Sequence, residues 1–335
     1  MFSIDSKADE NSIADFGSLD FEDSICCGAL ERLSLRNNRL SSLTMREAAV
    51  PNLRHLNIDD NRFSSFDGFS SLRLTSLSAR RQQPVLGQSV APDVLHRIQN
   101  VQSLALSGTH IPTFTMPSDG LANLTHLELA SCGLQQLPDD FGFLVPSLKH
   151  LNLNFNNLKD IRALLGCKNL QTLLLANNRI SRLRKGVMVL ERLGKRLTEL
   201  DLRGNLVTNG FYDTTSRGFA TVQKASKETQ VARTNRELER LDKLPLPQQA
   251  IITRLNEDAE TAPYLLASMD TEADTQYLGH LDEDTKLRRR VYELLLGNAL
   301  PKLHWLDGGP FDKKQKLAKD DVWLRLAELG VLKRR

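Results

Sequence analysis

The sequence predicts an α/β fold in the form of a solenoid, a curved parallel sheet with a concave face, with a helical insertion and a C-terminal cap. Three observations predict it. A leucine pattern recurs along residues 25–210 at steps of 21 to 27 residues, the pattern stops for about 100 residues, and it returns once around Leu306.

The unit is L-x-x-L-x-L-x-x-N-x-L, the signature of a leucine-rich repeat. Its clearest copies are Leu30-Leu33-Leu35-Asn38-Leu40, Leu53-Leu56-Ile58-Asn61-Phe63, Leu148-Leu151-Leu153-Asn156-Leu158 and Leu170-Leu173-Leu175-Asn178-Ile180. Four variant copies have second leucines at Leu77, Leu104, Leu127 and Leu200, with Gln82, Thr109, Cys132 and Asn205 at the asparagine place. Alternating leucines put apolar side chains on one face of a short strand. One such face cannot bury itself, so the copies must stack. Each buried leucine contributes roughly 1.5 to 3 kcal/mol, against about 1 to 2 kcal/mol of backbone entropy per ordered residue. The asparagine amide satisfies backbone groups where the chain leaves the strand. Gln82, Thr109 and Cys132 are therefore expected to weaken that ladder and make the middle repeats the least regular.

The remaining segments follow from composition. Residues 1–24 are expected to be a flexible leader, and 211–284 a polar insertion, partly helical or disordered, broken by Pro245 and Pro247. Within 285–310 a helix with Leu287, Val291, Leu294 and Leu295 on one side, stopped by Gly297 and Pro301, leads into the last strand and caps the array. Residues 311–335 supply a final helix, about 319–329, with Val322, Trp323, Leu326 and Leu329 on one side, then the basic tail Lys333-Arg334-Arg335.

Composition bounds the function. The 335 residues carry 44 Lys plus Arg against 41 Asp plus Glu, a net charge of +3, too small to point to nucleic acid or a membrane surface. No apolar run approaches the roughly 20 residues of a bilayer span, and the acidic start, MFSIDSKADE, lacks the flank of a secretion signal. Cys26, Cys27, Cys132 and Cys167 form no C-x-x-C pair, which suggests a reducing compartment. Nucleotide-loop, nucleophile-elbow and zinc-helix motifs are all missing, so neither an enzyme nor a cofactor is expected.

Partner-binding candidates lie at the strand positions that face the concave side. Asn152, Asn154, Phe155 and Leu174 place apolar groups among amides, a pattern suited to a protein-binding hot spot unless Phe155 turns inward as a stacked spine residue. Arg32, Arg36 and Arg80, with Arg81 nearby, could take an acidic or phosphorylated peptide, but they alternate with Asp59 and Asp60, as a solvated surface does. His126 and His150 come from adjacent copies and can touch across a strand spacing of about 4.8 Å. Further ligands for a metal are wanting there.

Two segments carry a family resemblance: Leu200-Asp201-Leu202-Arg203-Gly204-Asn205 continuing to Gly210-Phe211-Tyr212, and Leu287 to Tyr292 continuing through Pro301, Leu303 and Leu306-Asp307-Gly308. With the long insertion between them, the chain over about residues 25–310 resembles the C-terminal repeat region of the fungal spindle-pole-body scaffold of the septation-initiation, or mitotic-exit, network, related to animal centriolin. The resemblance implies a cytoplasmic, non-catalytic anchor at the spindle pole body with a helical or coiled-coil protein partner. That family's kinase-recruiting N-terminal region has no counterpart in the roughly 25 residues before the first repeat. The alternative is a general intracellular repeat adaptor, such as a phosphatase-regulating or tubulin-folding subunit.

Overall fold

The computed structural model describes residues 5–7, 9, 27–45, 47–69, 72–84, 90, 94–98, 100–111, 113, 115–213 and 264–332. Eleven strands pair in chain order into one sheet. They are β1 (Asp5–Lys7), β2 (Arg32–Ser34), β3 (His55–Asn57), β4 (Ser76–Ser78), β5 (Ser103–Ala105), β6 (His126–Glu128), β7 (His150–Asn152), β8 (Thr172–Leu174), β9 (Glu199–Asp201), β10 (Trp305–Leu306) and β11 (Gly309–Pro310). All neighbouring pairs are parallel except the closing pair of β10 and β11. The register sets Leu33, Leu56, Leu77, Leu104, Leu127, Leu151, Leu173 and Leu200 in one row, and Leu306 extends it. From Leu56 onward the row is buried in a single core that runs the length of the array.

The asparagines bridge consecutive repeats. Asn156 donates from Nδ2 to the carbonyl of Leu129 at 2.8 Å and accepts the N–H groups of Cys132 and Leu134 on Oδ1. Asn61, Asn178 and Asn205 repeat the pattern. The expected irregularity at the variant copies does not occur, because the register continues unbroken from β3 to β7. Gln82 reaches one atom further yet donates to Ile58 O at 2.8 Å and accepts from Phe63 N. The Thr109 hydroxyl donates to Ala79 O, and the Cys132 thiol to Leu106 O. Any side chain that can aim one donor at the preceding carbonyl keeps the row in step.

Immediately before the ladder residue the backbone turns left-handed in each repeat, at Asn37, Asp60, Arg81, Gly108, Ser131, Phe155, Asn177 and Gly204. The return path is covered by short elements, among them α1 (Phe141–Leu144) and the longer α2 (Leu183–Leu193). Phe63, Phe66 and Phe69 form a buried aromatic group there, with ring centroids 5.8 to 6.4 Å apart. The longer α2 was not anticipated from the sequence; its packed side is Leu183, Val187, Val189, Leu190 and Leu193.

Several boundaries differ from expectation. Residues 1–24 are not wholly a loose leader: β1 pairs with β2, and Asp9 Oδ1 accepts the Arg36 N–H and the Ser34 hydroxyl. Phe211 and Tyr212, assigned to the polar insertion, are buried in the core. Of that insertion, 214–263 lies outside the described residues, as does the basic tail at 333–335. The described remainder includes α3 (Thr271–His280), capped by Asp270.

α4 (Glu283–Ala299), started by an Asp282 side chain that accepts the Thr285 N–H, packs on α2 and closes the end of the array. Gly297 does not stop it. The helix runs through that glycine because Phe311 and Leu317 press against it where a side chain would stand. α5 (Lys313–Lys316) and α6 (Asp321–Glu328) follow, held by Arg290, whose Nε donates to Asp320 at 2.6 Å. Leu329, placed by periodicity on the packed side of the last helix, is 62% exposed just beyond its end.

Candidate partner-binding face

The N-terminal part of the concave side is a network of paired charges. Arg32 is exposed on β2, and Arg36 Nε lies 3.4 Å from Asp60. Arg81 binds the same Asp60, with Nε donating at 2.6 Å. Arg80 was an anion-binding candidate, but it is only 7% exposed and grips Glu128 through Nε and Nη2 and Asp59 and Ser78 through Nη1. Two carboxylates thus pair with this one guanidinium. Burial works against its charge, yet Glu128 and Asp59 hold its pKa above the ordinary value. Arg80 therefore ties three repeats together and is already neutralised by protein carboxylates, which disfavours its binding a phosphate. Spacing alone could not show this, because Glu128 is two repeats away.

The C-terminal part is built differently. Asn152 and Asn154 are both buried, and each fixes its amide orientation by accepting a backbone N–H on Oδ1, from Asn154 and Ala176 respectively. Their Nδ2 groups then point away from the sheet. Both meet the carbonyl of Tyr264, at 3.5 and 3.1 Å. Leu174, next to them on β8, is half-buried. Phe155 does not join the spine: it is half-exposed, with φ 58°, a conformation that bulky side chains rarely adopt.

Tyr264 opens a short strap, residues 264–269, that crosses the ridge just beyond the C-terminal ends of the strands. Its hydroxyl lies against Gly108 and the Arg81 side chain. Ala267 O accepts from Arg203 Nη1 at 2.9 Å, and Met269 N donates to Gly308 O at 2.7 Å. From Asn154 to Arg203 is two repeats, roughly 10 Å of sheet. The strap is laid across the strand ends, turning at Tyr264 and Leu265 before it runs on to Met269. Arg203 is itself held by Asp201, which accepts from its Nε and Nη2. The sequence had no signal for Tyr264 or Arg203 in this role, since the contacts join residues 64 to 112 positions apart without any period.

Beyond the strap, three residues of the two resemblance segments converge. Asp307 is completely buried; its Oδ2 accepts the hydroxyls of Tyr212 and Tyr292, each at 2.6 Å, and its Oδ1 accepts the Leu202 N–H at 2.6 Å. Burial, then the charge of Asp201, pushes its pKa up to about 6 against the pull of those donors. Asp307 and Gly308 have φ 53° and 79° and turn β10 back into β11, the geometry of a type I′ hairpin for which Asp-Gly is suited. His126 and His150 stack with centroids 4.3 Å apart. Among the described residues no group of three or more His, Cys, Asp or Glu is placed to hold a metal, and no helix is long and apolar enough to cross a membrane. Cys27, Cys132 and Cys167 are buried free thiols.

Two repeat-family models match the chain, "Leucine Rich repeats (2 copies)" over residues 29–71 and "Leucine rich repeat" over 122–180, and the register carries the same unit between and beyond them. The chain is a leucine-rich-repeat solenoid. It resembles the septation initiation network scaffold protein cdc11 of Schizosaccharomyces pombe, with 27% identity over 80% of this chain and 23% of that protein. Human leucine-rich repeat-containing protein 56 is 36% identical over 33% of this chain and 20% of its own length. The repeat chain thus spans less than a quarter of either relative. Human trophoblast glycoprotein is a solved structure with a TM-score of 0.46 and 20% identity, covering 67% of this chain and 89% of that one.

Proposed function

We propose that the chain is a non-catalytic, protein-binding scaffold that anchors a cell-division signalling complex at the spindle pole body, within the septation-initiation or mitotic-exit network. The observation that carries this reading is the 27% identity to a septation initiation network scaffold along 80% of the chain. The geometry supports it. The buried tyrosines and carboxylate that could have suggested acid–base chemistry, Tyr212, Tyr292 and Asp307, join the last repeat to its cap rather than line a cleft.

The partner is a protein with a helical or coiled-coil body, held on the concave side through Asn152, Asn154, Phe155 and Leu174. Arg32 and Arg36 supply the charge at the N-terminal end of that surface, and the site is cytoplasmic. The test is to image the tagged chain through mitosis in dividing cells of its own source. A discrete signal at the spindle poles is expected, and a signal that stays diffuse through division would overturn the reading.

A further inference from the structure

We propose that the ridge bordering the concave face is a groove for a peptide segment, and that residues 264–269 occupy it in cis as a stand-in for the partner's own segment. This rests on the reading of the concave side as the partner-binding face and says what chemistry it takes. The peptide it fits has an aromatic hydroxyl at one end and an apolar side chain five residues on, and presents two backbone carbonyls between them, as Tyr264 and Ala267 do.

The groove groups are held by the repeats themselves and not by the strap. Asn154 and Asn152 have their Oδ1 atoms fixed by backbone N–H groups of the sheet, which leaves two Nδ2 donors aimed at one carbonyl. Arg203 is clamped by Asp201 and extends its remaining Nη1 to a second carbonyl, three residues along. Both recognition groups read backbone and not side chain. Side-chain selection comes at the ends. Gly108 leaves room for the Tyr264 ring beside Arg81, and Gly309 leaves room for Met269.

The strap itself is held lightly. Tyr264, Leu265, Leu266 and Met269 are each only half-buried, while Ala267 and Ser268 are exposed. It competes as a segment of the same chain, which raises its local concentration over that of a free peptide. A partner segment of better fit displaces it, and the strap thereby raises the affinity needed for capture.

Asn154→Asp separates groove from fold. Asp59 and Asp9 stand at the equivalent position of other repeats and accept the following backbone N–H there, at 2.7 and 2.8 Å, so the substitution keeps the sheet contact. It replaces the donor that faces the strap with an acceptor. The full chain, the full chain with Tyr264→Ala and Met269→Ala, and that double variant with Asn154→Asp are titrated with a fluorescein-labelled peptide of sequence TAPYLLASMDTE. The double variant is expected to bind about tenfold tighter than the unmodified chain, and Asn154→Asp to remove that gain. Equal binding by all three, or none by the double variant, would overturn the proposal.

Amide hydrogen exchange on the unmodified chain gives a second reading that needs no substitution. Excess unlabelled peptide is expected to speed exchange at the Met269 N–H, now bonded to Gly308. Unchanged exchange at saturating peptide counts against the proposal. These measurements use purified protein, so peptide exchange without pole localisation defeats only the spindle-pole reading. Localisation without peptide exchange defeats only the groove.

Discussion

At the residue scale, Asp307 joins the last repeat to its cap. Three donors converge on a carboxylate with no exposure, and burial dominates its titration. Its folded pKa, near 6, lies above an unfolded value of about 3.9, so its contribution is fully present below about pH 4 and declines as pH rises through 6. Urea denaturation of the unmodified chain at pH 5 and pH 7 is therefore expected to show a component favouring pH 5. Asp307→Asn is expected to flatten that component while remaining folded, because its Oδ1 still accepts the Leu202 N–H. Asp307→Ala strands three buried donors, each worth about 1 to 3 kcal/mol, and is expected to lose more stability than the asparagine variant at both pH values. The Asp-Gly pair was legible in the sequence as part of a cap, but not as the acceptor for two tyrosines. Tyr212 stands 95 positions away, and nothing periodic links the two.

At the element scale, what repeats was legible and what occurs once was not. The leucine rows and the asparagine ladder could be read because the same side chain does the same task every two dozen residues, so each copy supports the reading of the next. Gln82 and Cys132 were misjudged because residue identity was weighed and reach was not. Gln82→Ala is expected to cost about 1 to 3 kcal/mol, since the buried Phe63 N–H loses its acceptor while the Ile58 carbonyl keeps Asn61 as a donor, whereas an exposed Arg39→Ala should stay within about 0.5 kcal/mol. Chemical denaturation midpoints check both. Gly297 was misread for the opposite reason: a glycine can mark an end or a close approach, and the neighbours that decide, Phe311 and Leu317, come later in the chain. Asn152 and Asn154 could be singled out as amides on the concave side, but their shared target, the Tyr264 carbonyl, lies within the insertion.

At the scale of the whole molecule, the array is open at both ends and each end has its own closure. β1 and Asp9 continue the repeat geometry at the start, while α4 and the β10–β11 hairpin cover Leu200 and Leu202 at the finish. A chain ended after residue 213 leaves that last leucine row against water and is expected to lose cooperative unfolding, measured by circular dichroism on heating. The long excursion between β9 and β10 leaves the sheet intact because its return strand pairs directly with β9. It also brings residues 264–269 back across the concave rim, so that the surface proposed to hold a partner is already holding a piece of this chain.

The most direct measurement of that claim is the intensity of the tagged chain at mitotic spindle poles for three forms: unmodified, Asn154→Asp, and Tyr264→Ala. Melting temperatures are first shown to agree. The account expects Tyr264→Ala to match or exceed the unmodified chain and Asn154→Asp to fall well below both. Equal pole intensity in all three forms would contradict it.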